Sequence, residues 1–564
     1  MNHHLTLRAK IIIMISVMAS LFLVALDQTI ISTALGKIVQ DFNAFDQLSW
    51  IVTAYLVTTT ITVPIAGKLS DLFGRKKMLL IGVSIFGIGS LLSGASPDVT
   101  WLILARAFQG IGGGIITANA FTIVGDLFAA RERGKWQGLI SAVFGIASVI
   151  GPLLGGFLTE SHNVLGLTHT DWRWTFWINI PVAITALIII SIFCPPLKHD
   201  AKPRVDYVGA GLVAIVLGVL IFAIDNTGQI FSGLLSSTHL TLTGLRIIMY
   251  GIVAAALTVL ILVERRAPEP IVNLRFFKNK NFSLIMVIAF LNGAAFLGAI
   301  LYLTQFNQQV FGATPTQSGL MLLPLMAGLM TASIGTGQIV SRIGRYKIIM
   351  IVGFVVMTIG LGFLTTLTPT TPYFKEAIIM VFVGLGIGVG LPLMNLAVQN
   401  EFEQKDLGVA TSSTQLFRNL GSTIGTAIFG SLLTVGIATS LGNMKADPYI
   451  VTLRSTPAGA KIVTSTTDAN TLLNINSPAV KSAITSGFRA SITKLPIAEQ
   501  APIKATFVKN QNEYSTKIVN AFSTAIHNIF IVSTALVTVA TLSVFFLKER
   551  ALKSARATDT PGEM

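Results

Sequence analysis

The sequence predicts an all-α polytopic membrane protein: two six-helix bundles plus two extra central helices, fourteen transmembrane helices in all. Three observations predict it. Of 564 residues, 52% are hydrophobic and only 12% charged, where a soluble globule carries about 25% charge. Apolar windows long enough to cross roughly 30 Å of hydrocarbon recur along the whole chain, too often for the buried helices of a soluble protein. Finally, the basic turn Gly67-Lys-Leu-Ser-Asp-Leu-Phe-Gly-Arg-Lys-Lys77 joins two apolar segments and returns in degraded form at Gly337–Lys347, again between two apolar segments. A repeated turn of this kind marks a bilayer protein built from two related halves.

The spans fall at 11–35, 48–67, 78–96, 99–125, 138–159, 174–194, 207–225, 244–263, 282–303, 317–341, 347–367, 376–399, 409–439 and 525–547. Superposing the two turns equates Gly67 with Gly337, Gly74 with Gly344, Arg75 with Arg345 and Lys77 with Lys347, whereas Asp71 meets Ser341. Spans 1–6 then match spans 9–14, and spans 7 and 8 remain as a hairpin. The units are 1–196, a six-helix bundle; 197–270, the two linking helices; and 271–564, the second bundle with an extracytoplasmic loop at 440–524.

Charge sets the orientation. The turns after even-numbered spans hold Lys68, Arg75, Lys76 and Lys77, then Arg131, Arg133 and Lys135, then Lys198, Lys202 and Arg204, and so on to Arg342, Arg345 and Lys347; the tail adds Lys548, Arg550, Lys553 and Arg556. The positive-inside rule therefore expects a multi-pass protein of the cell membrane with both termini cytoplasmic. The formal charge of +15 is spent on topology, so the bilayer is the partner and nucleic acid is not. The first span reads as uncleaved, without a small-residue processing site. A single cysteine, Cys194, excludes an intrachain disulfide or a Cys-based metal cluster, and the scattered histidines give no metal site. No phosphate-binding loop or soluble catalytic domain is present, so the expectation is a non-enzyme without cofactors.

Segment 440–524 carries nine basic and four acidic residues. Loops beyond about 60 residues escape the charge rule, so it leaves the topology intact. Pro448, Pro457, Pro478, Pro496 and Pro502 divide it, and 479–493 and 503–523 have loose helical spacing. It reads either as a tolerated cap or as a contact for gating, lipid or an extracytoplasmic partner of an otherwise monomeric protein.

Asp27 lies about 24 Å into span 1, and Arg106 of span 4 falls at nearly the same depth from the 1.5 Å helical rise. A carboxylate there must face a path between the two bundles or pair with something, and Arg106 is the best partner. The pair serves proton coupling, substrate contact or simply a fixed tie between spans 1 and 4. Span 5 reads Gly145-x5-Gly151-Pro152-x2-Gly155-Gly156, small residues for close helix approach beside a proline that biases a bend, as a seam between moving halves requires. In the basic turn, Gly67, Asp71, Gly74 and Arg75, with Asp126 and Arg131 nearby, make either a conformational latch, in which Asp71 caps a neighbouring helix or pairs with Arg75 or Arg131, or a purely topogenic loop. A substrate path is expected among Asn119, Asn179, Asn292, Gln305, Asn395, Gln415 and Asn419, set among large apolar side chains such as Phe121, Phe144 and Met326, which equally suit core or lipid contact. A few polar anchors in an apolar cavity suit an amphipathic solute better than a sugar or ion.

These motifs together resemble the major facilitator superfamily, and within it the fourteen-span drug:proton antiporter branch. Gly67–Lys77 is similar to its loop between spans 2 and 3, Arg106-Ala-Phe-Gln-Gly110 to its span 4 motif, and Gly145–Gly156 to its antiporter motif. Leu26-Asp27-Gln28-Thr29-Ile30 and Asp171-Trp172-Arg173-Trp174 resemble further motifs of the branch, whereas Gly36 replaces a usual proline. The resemblance implies proton-driven export of small lipophilic, often cationic drugs by alternating access, with Asp27 and Arg106 as coupling or binding residues and Asp71 and Arg75 as latch residues. Export of a lipid or cell-envelope component, and a non-transporting receptor or scaffold, are the competing readings.

Overall fold

The structure, a computed structural model, describes residues 6–42, 48–159, 163–164, 168–194, 206–224, 227–238, 240–313, 315–455, 457–463, 465–467, 469–476, 478–492 and 496–552. Lys198, Lys202, Arg204, Lys553 and Arg556 lie outside them. Fourteen of the described helices are long and apolar enough to cross a membrane. The first half contains α1 (Leu7–Phe42), α2 (Leu48–Phe73), α3 (Arg75–Gly94), α4 (Val99–Leu127) and α5 (Ala130–Thr159), a two-stranded ribbon β1 (Asn163–Val164) and β2 (Thr168–His169), then α6 (Trp174–Trp177) and α7 (Asn179–Phe193). Next come α8 (Tyr207–Ile224), the short α9 (Thr227–Ile230) and α10 (Ser232–Thr238), and α11 (Leu242–Glu264). The second half holds α12 (Lys280–Gln309), α13 (Pro315–Met321), α14 (Leu323–Ile343), α15 (Lys347–Leu364), α16 (Tyr373–Glu401) and α17 (Leu407–Leu441). The outer segment forms α18 (Pro448–Arg454), α19 (Pro457–Ile462), α20 (Ala469–Asn476) and α21 (Pro478–Ile492), and the chain ends in α22 (Ile497–Phe545).

Local chemistry sets several ends. Asp98 caps α4 by accepting from Trp101 N–H, and Asn279 caps α12 by accepting from Asn281 and Phe282 N–H. Both basic turns bend at a glycine with positive φ, Gly74 at 93° and Gly344 at 74°, a region that side chains with a Cβ avoid. This is the physical reason the two glycines hold the same place in the repeat.

Helices α1–α5 and α7 pack together, as do α12, α14–α17 and α22, each set around its own apolar core. The two sets meet where α5 lies on α14 and α16, and where α17 lies on α2 and α4. The α8/α11 hairpin packs on itself and leans on α2 and α17, and Lys68 of α2 is ion-paired to Glu269 just beyond α11.

Two span expectations change; span 6 runs as expected through α6 and α7, Trp174–Phe193, with a one-residue turn at Ile178. Span 10 is broken at Leu322, so α13 and α14 are separate helices, with Pro324 in the first turn of the latter. Span 14 is the far part of α22, a 49-residue helix that starts in the outer segment and carries Pro502 in its interior. Pro502 therefore does not divide the segment, because a proline near a helix start removes only one hydrogen bond. The outer segment has a core of its own, with Tyr449, Leu453, Leu472, Ile475, Phe507, Tyr514 and Ile518 buried together.

Candidate functional site

Asp27 points into the first bundle, where α1, α3, α4 and α7 converge, and it is fully buried. Arg106 Nη1 donates to its Oδ2 at 2.6 Å, while Gln109 Nε2 and Asn179 Nδ2 donate to Oδ1 at 2.9 and 3.2 Å. Arg106 also donates to Gln109 Oε1 at 2.8 Å, and its guanidinium stacks over Tyr55 at 4.3 Å. Asn179 continues to Ser90 Oγ at 3.0 Å, and that hydroxyl donates to the Phe176 carbonyl at 2.8 Å. A buried ion pair is tolerable only when its remaining lone pairs and protons are satisfied, and this one is nearly so. The cluster is not on the path between bundles that the sequence alone implied: both faces of the carboxylate are enclosed by one half. Thr29, two residues on, reaches the seam helix instead, donating to Ala147 O of α5 at 3.0 Å.

The end of the molecule that carries the basic turns, here the basic end, is closed by contacts between the halves. Arg75 is buried and bridges Asp71, Ser70 and, at 2.8 Å through Nε, Asp126. The second oxygen of Asp71 crosses the seam and accepts from Val409 N–H at the start of α17 at 3.2 Å. Opposite, Arg131 donates to the Ser341 carbonyl at 2.8 Å and to that of Arg342, at the end of α14. An acid thus sits on a helix N-terminus and a cation on a C-terminus, each complementing the dipole of a helix in the other half. Arg131 pairs with these carbonyls and not with Asp71. Arg345, the repeat partner of Arg75, is exposed; with Ser341 in place of an acid, it has no local counter-charge to bury it.

Glycines let the seam close. A Cβ on Gly67 would overlap Ser412 of α17, one on Gly138 the Ser333 carbonyl of α14, and one on Gly337 the Gly134 carbonyl. Further along α5, a Cβ on Gly145 would meet Met330 at 2.7 Å and one on Gly151 would overlap Thr29, while Pro152 abuts Gly319 of α13. Gly155 is buried and Gly156 half-buried. Replacing Asp71 by asparagine keeps the shape but removes the charge facing α17. That charge is worth about 1 kcal/mol, so the closed population should fall roughly fivefold relative to the open one. Spin labels at Lys77 and Arg345 would report it as a longer mean distance.

The amides fall into separate places. Asn119 is buried and bonds its own helix at Ile115 O, 2.8 Å away. Gln415 donates to Asn395 at 3.0 Å within the second half, and Asn292 is wholly buried against α16 with neither side-chain atom partnered among the described residues. Gln305 and Asn419 are half-buried. Asn179 alone joins the Asp27 cluster.

A family model described as Major Facilitator Superfamily matches residues 17–426. The chain belongs to the major facilitator superfamily. It is 34% identical over 443 residues to "Multidrug transporter protein MdtP" of Bacillus subtilis (strain 168), covering 78% of each protein. It is 33% identical over 423 residues to "Multidrug resistance protein 3" of the same organism, covering 75% of this chain and 79% of that one. The structure of the proton:xylose symporter XylE matches at a TM-score of 0.57 over 96% of this chain and 97% of that one, with 14% identity, a likeness of fold alone. This is a multi-pass membrane protein of a transporter superfamily.

Sequence reasoning missed three polar residues in this superfamily frame. Gln109 completes the Asp27 cluster; its position three residues after Arg106 puts both on one helix face, a signal that was available. Glu376 is fully buried in the first turn of α16, where Asn307, its amide nitrogen turned to the carboxylate, donates at 2.9 and 3.1 Å. Arg418 of α17 extends to Phe144 of α5, its guanidinium 5.7 Å from the ring centre.

Proposed function

We propose that this protein exports hydrophobic or amphipathic drugs across the cell membrane by alternating access, exchanging them for protons, with the basic end and both termini in the cytoplasm. The observation that carries the reading is the seal at the basic end. Asp71 and Arg131 hold the halves together through single side chains on helix ends, contacts that can break as a set and re-form without unfolding either bundle. Its relatives' names, a multidrug transporter and a multidrug resistance protein, supply the cargo class. Asp27 is the coupling group: protonation would release Arg106, Gln109 and Asn179 together and loosen α1 from α4 and α7. Uptake of a lipophilic dye into everted vesicles, whose cytoplasmic face is outward, with the proton gradient imposed and then collapsed, tests this. Uptake should stop on collapse; uptake that continues unchanged overturns the coupling.

The folded outer segment favours a second reading, export of a lipid or envelope component handed to a partner by a chain that works as a monomer. Between α18, α19, α21 and α22 lies a cavity of about 500 Å³ lined by Leu453, Ile462, Ile484, Phe488 and Phe507. Replacing residues 445–515 by a short Gly/Ser linker should leave dye efflux within about twofold if drugs are the cargo. Complete loss of efflux in a variant that still folds would favour the second reading.

A further inference from the structure

Arg418 stands eleven residues into α17, about 16 Å from its basic end, and Phe144 about 21 Å along α5 from the same end. Both are near the middle of a 30 Å hydrocarbon layer. The guanidinium leaves the second half and reaches a ring of the first, so it lies across the seam between the bundles. It is half-buried. Among the described residues no ion pair or hydrogen bond reaches it, and its one close partner is the Phe144 ring.

The buried acids above and below this level are engaged. Asp27 is held by Arg106, Asp71 and Asp126 by Arg75, and Glu376 by Asn307. Arg133 donates to the carbonyls of Phe128 and Gly125. An arginine at mid-membrane without a counter-charge is costly and marks a substrate or ion pathway. The ring beneath it offsets only part of that cost. A cationic cargo would meet repulsion there. An oxyanion would supply the missing charge and match the planar fork of guanidinium donors.

We propose that Arg418 is the head-group anchor for amphipathic oxyanions, so that preferred cargo carries a sulfonate, carboxylate or phosphate on an apolar body. The proposal rests on the exporter reading and deepens it by naming the cargo's charge, which runs opposite to the cationic drugs expected from the resemblance. Phe144, released from the guanidinium when the anion binds, then packs on the apolar body.

The test uses two dyes with one aromatic frame. 1-Anilinonaphthalene-8-sulfonate carries the oxyanion, and N-phenyl-1-naphthylamine is its neutral counterpart. In phosphatidylcholine proteoliposomes of the full chain, Arg418→Gln should lower efflux of the sulfonate at least tenfold and that of the neutral dye less than twofold. Arg418→Lys, which keeps the charge, should retain at least a third of the sulfonate rate. Equal loss of both dyes in Arg418→Gln, with no rescue by lysine, would make Arg418 a structural tie and overturn the proposal. So would parental transport of the neutral dye but not the sulfonate, which leaves the exporter reading standing. If the parent moves neither dye, both readings fall. Including phosphatidylglycerol separates the sources of the oxyanion: if it suppresses sulfonate efflux in the parent, a lipid head group occupies the anchor, and if it has no effect, a free solute does.

Discussion

Asp27→Asn should reduce gradient-driven efflux at least a hundredfold. Asparagine fits the same space, so the variant separates charge from shape. In the parent, the carboxylate accepts from Arg106, Gln109 and Asn179 at 2.6, 2.9 and 3.2 Å. An amide at this position cannot be ionised and cannot carry a proton from one side to the other. It also leaves Arg106 buried without a counter-charge, a fault that costs about 3–5 kcal/mol where it has been measured. The single variant alone would therefore confuse lost coupling with lost structure. The neutral double variant Asp27→Asn/Arg106→Gln removes the stranded charge and should regain most of the parental melting temperature. If Asp27 is the coupling group, the double variant stays as inactive against a proton gradient as the single one. A double variant that pumps at the parental rate would show that the pair only ties α1 to α4.

Much of this site was legible in the chain because membrane burial makes charge conspicuous. Asp27 and Arg106 stand out from apolar neighbours, and the helical rise puts them at one depth. The basic turn and its repeat gave the two halves, and the positive φ at Gly74 and Gly344 gives the reason both copies keep glycine. What the chain does not carry is direction around each helix. Spans apolar on every side have no stripe to mark the inward face, so Asp27 was expected on the path between the bundles and lies inside one of them. The same ambiguity hid Arg418, which sits among Phe417, Asn419 and Leu420 in a span otherwise notable for glycine and threonine. Glu376 was overlooked because it falls at a helix start, where an acid ordinarily faces water; the packing of α12, α14 and α15 around α16 is what the chain does not show, and Asn307 of α12 faces the carboxylate. A helix cap by Asp71 was legible in the basic turn, but not which helix it would cap, since Val409 N–H lies 338 positions away.

Gly138→Val should stop transport with little effect on the fold of either bundle, because the residue works at the seam between them. Gly134 and Gly138 of α5 face Ser333 and Gly337 of α14, two pairs of small residues each four apart, and the helix backbones touch. Such pairs are what allows close approach of two membrane helices. A Cβ at Gly138 would overlap the Ser333 carbonyl, and a carbonyl in a helix cannot move aside as a flexible side chain can. Valine must therefore push α14 from α5 at the basic end. Arg131 then loses the carbonyls of Ser341 and Arg342, and Asp71 loses its reach to Val409, because all of these bonds depend on the same closure. Turnover should fall at least twentyfold, since a cycle that cannot seal one end cannot pump against a gradient. A cysteine at Ser412, which packs on Gly67 in the closed form, should become reactive to a membrane-impermeant maleimide from the basic side in a Cys194→Ser background. Gly138→Ala, with one carbon instead of three, should be intermediate in both readouts. Parental turnover in the valine variant, with Ser412→Cys still protected, would mean that the α5–α14 contact is not what closes this end.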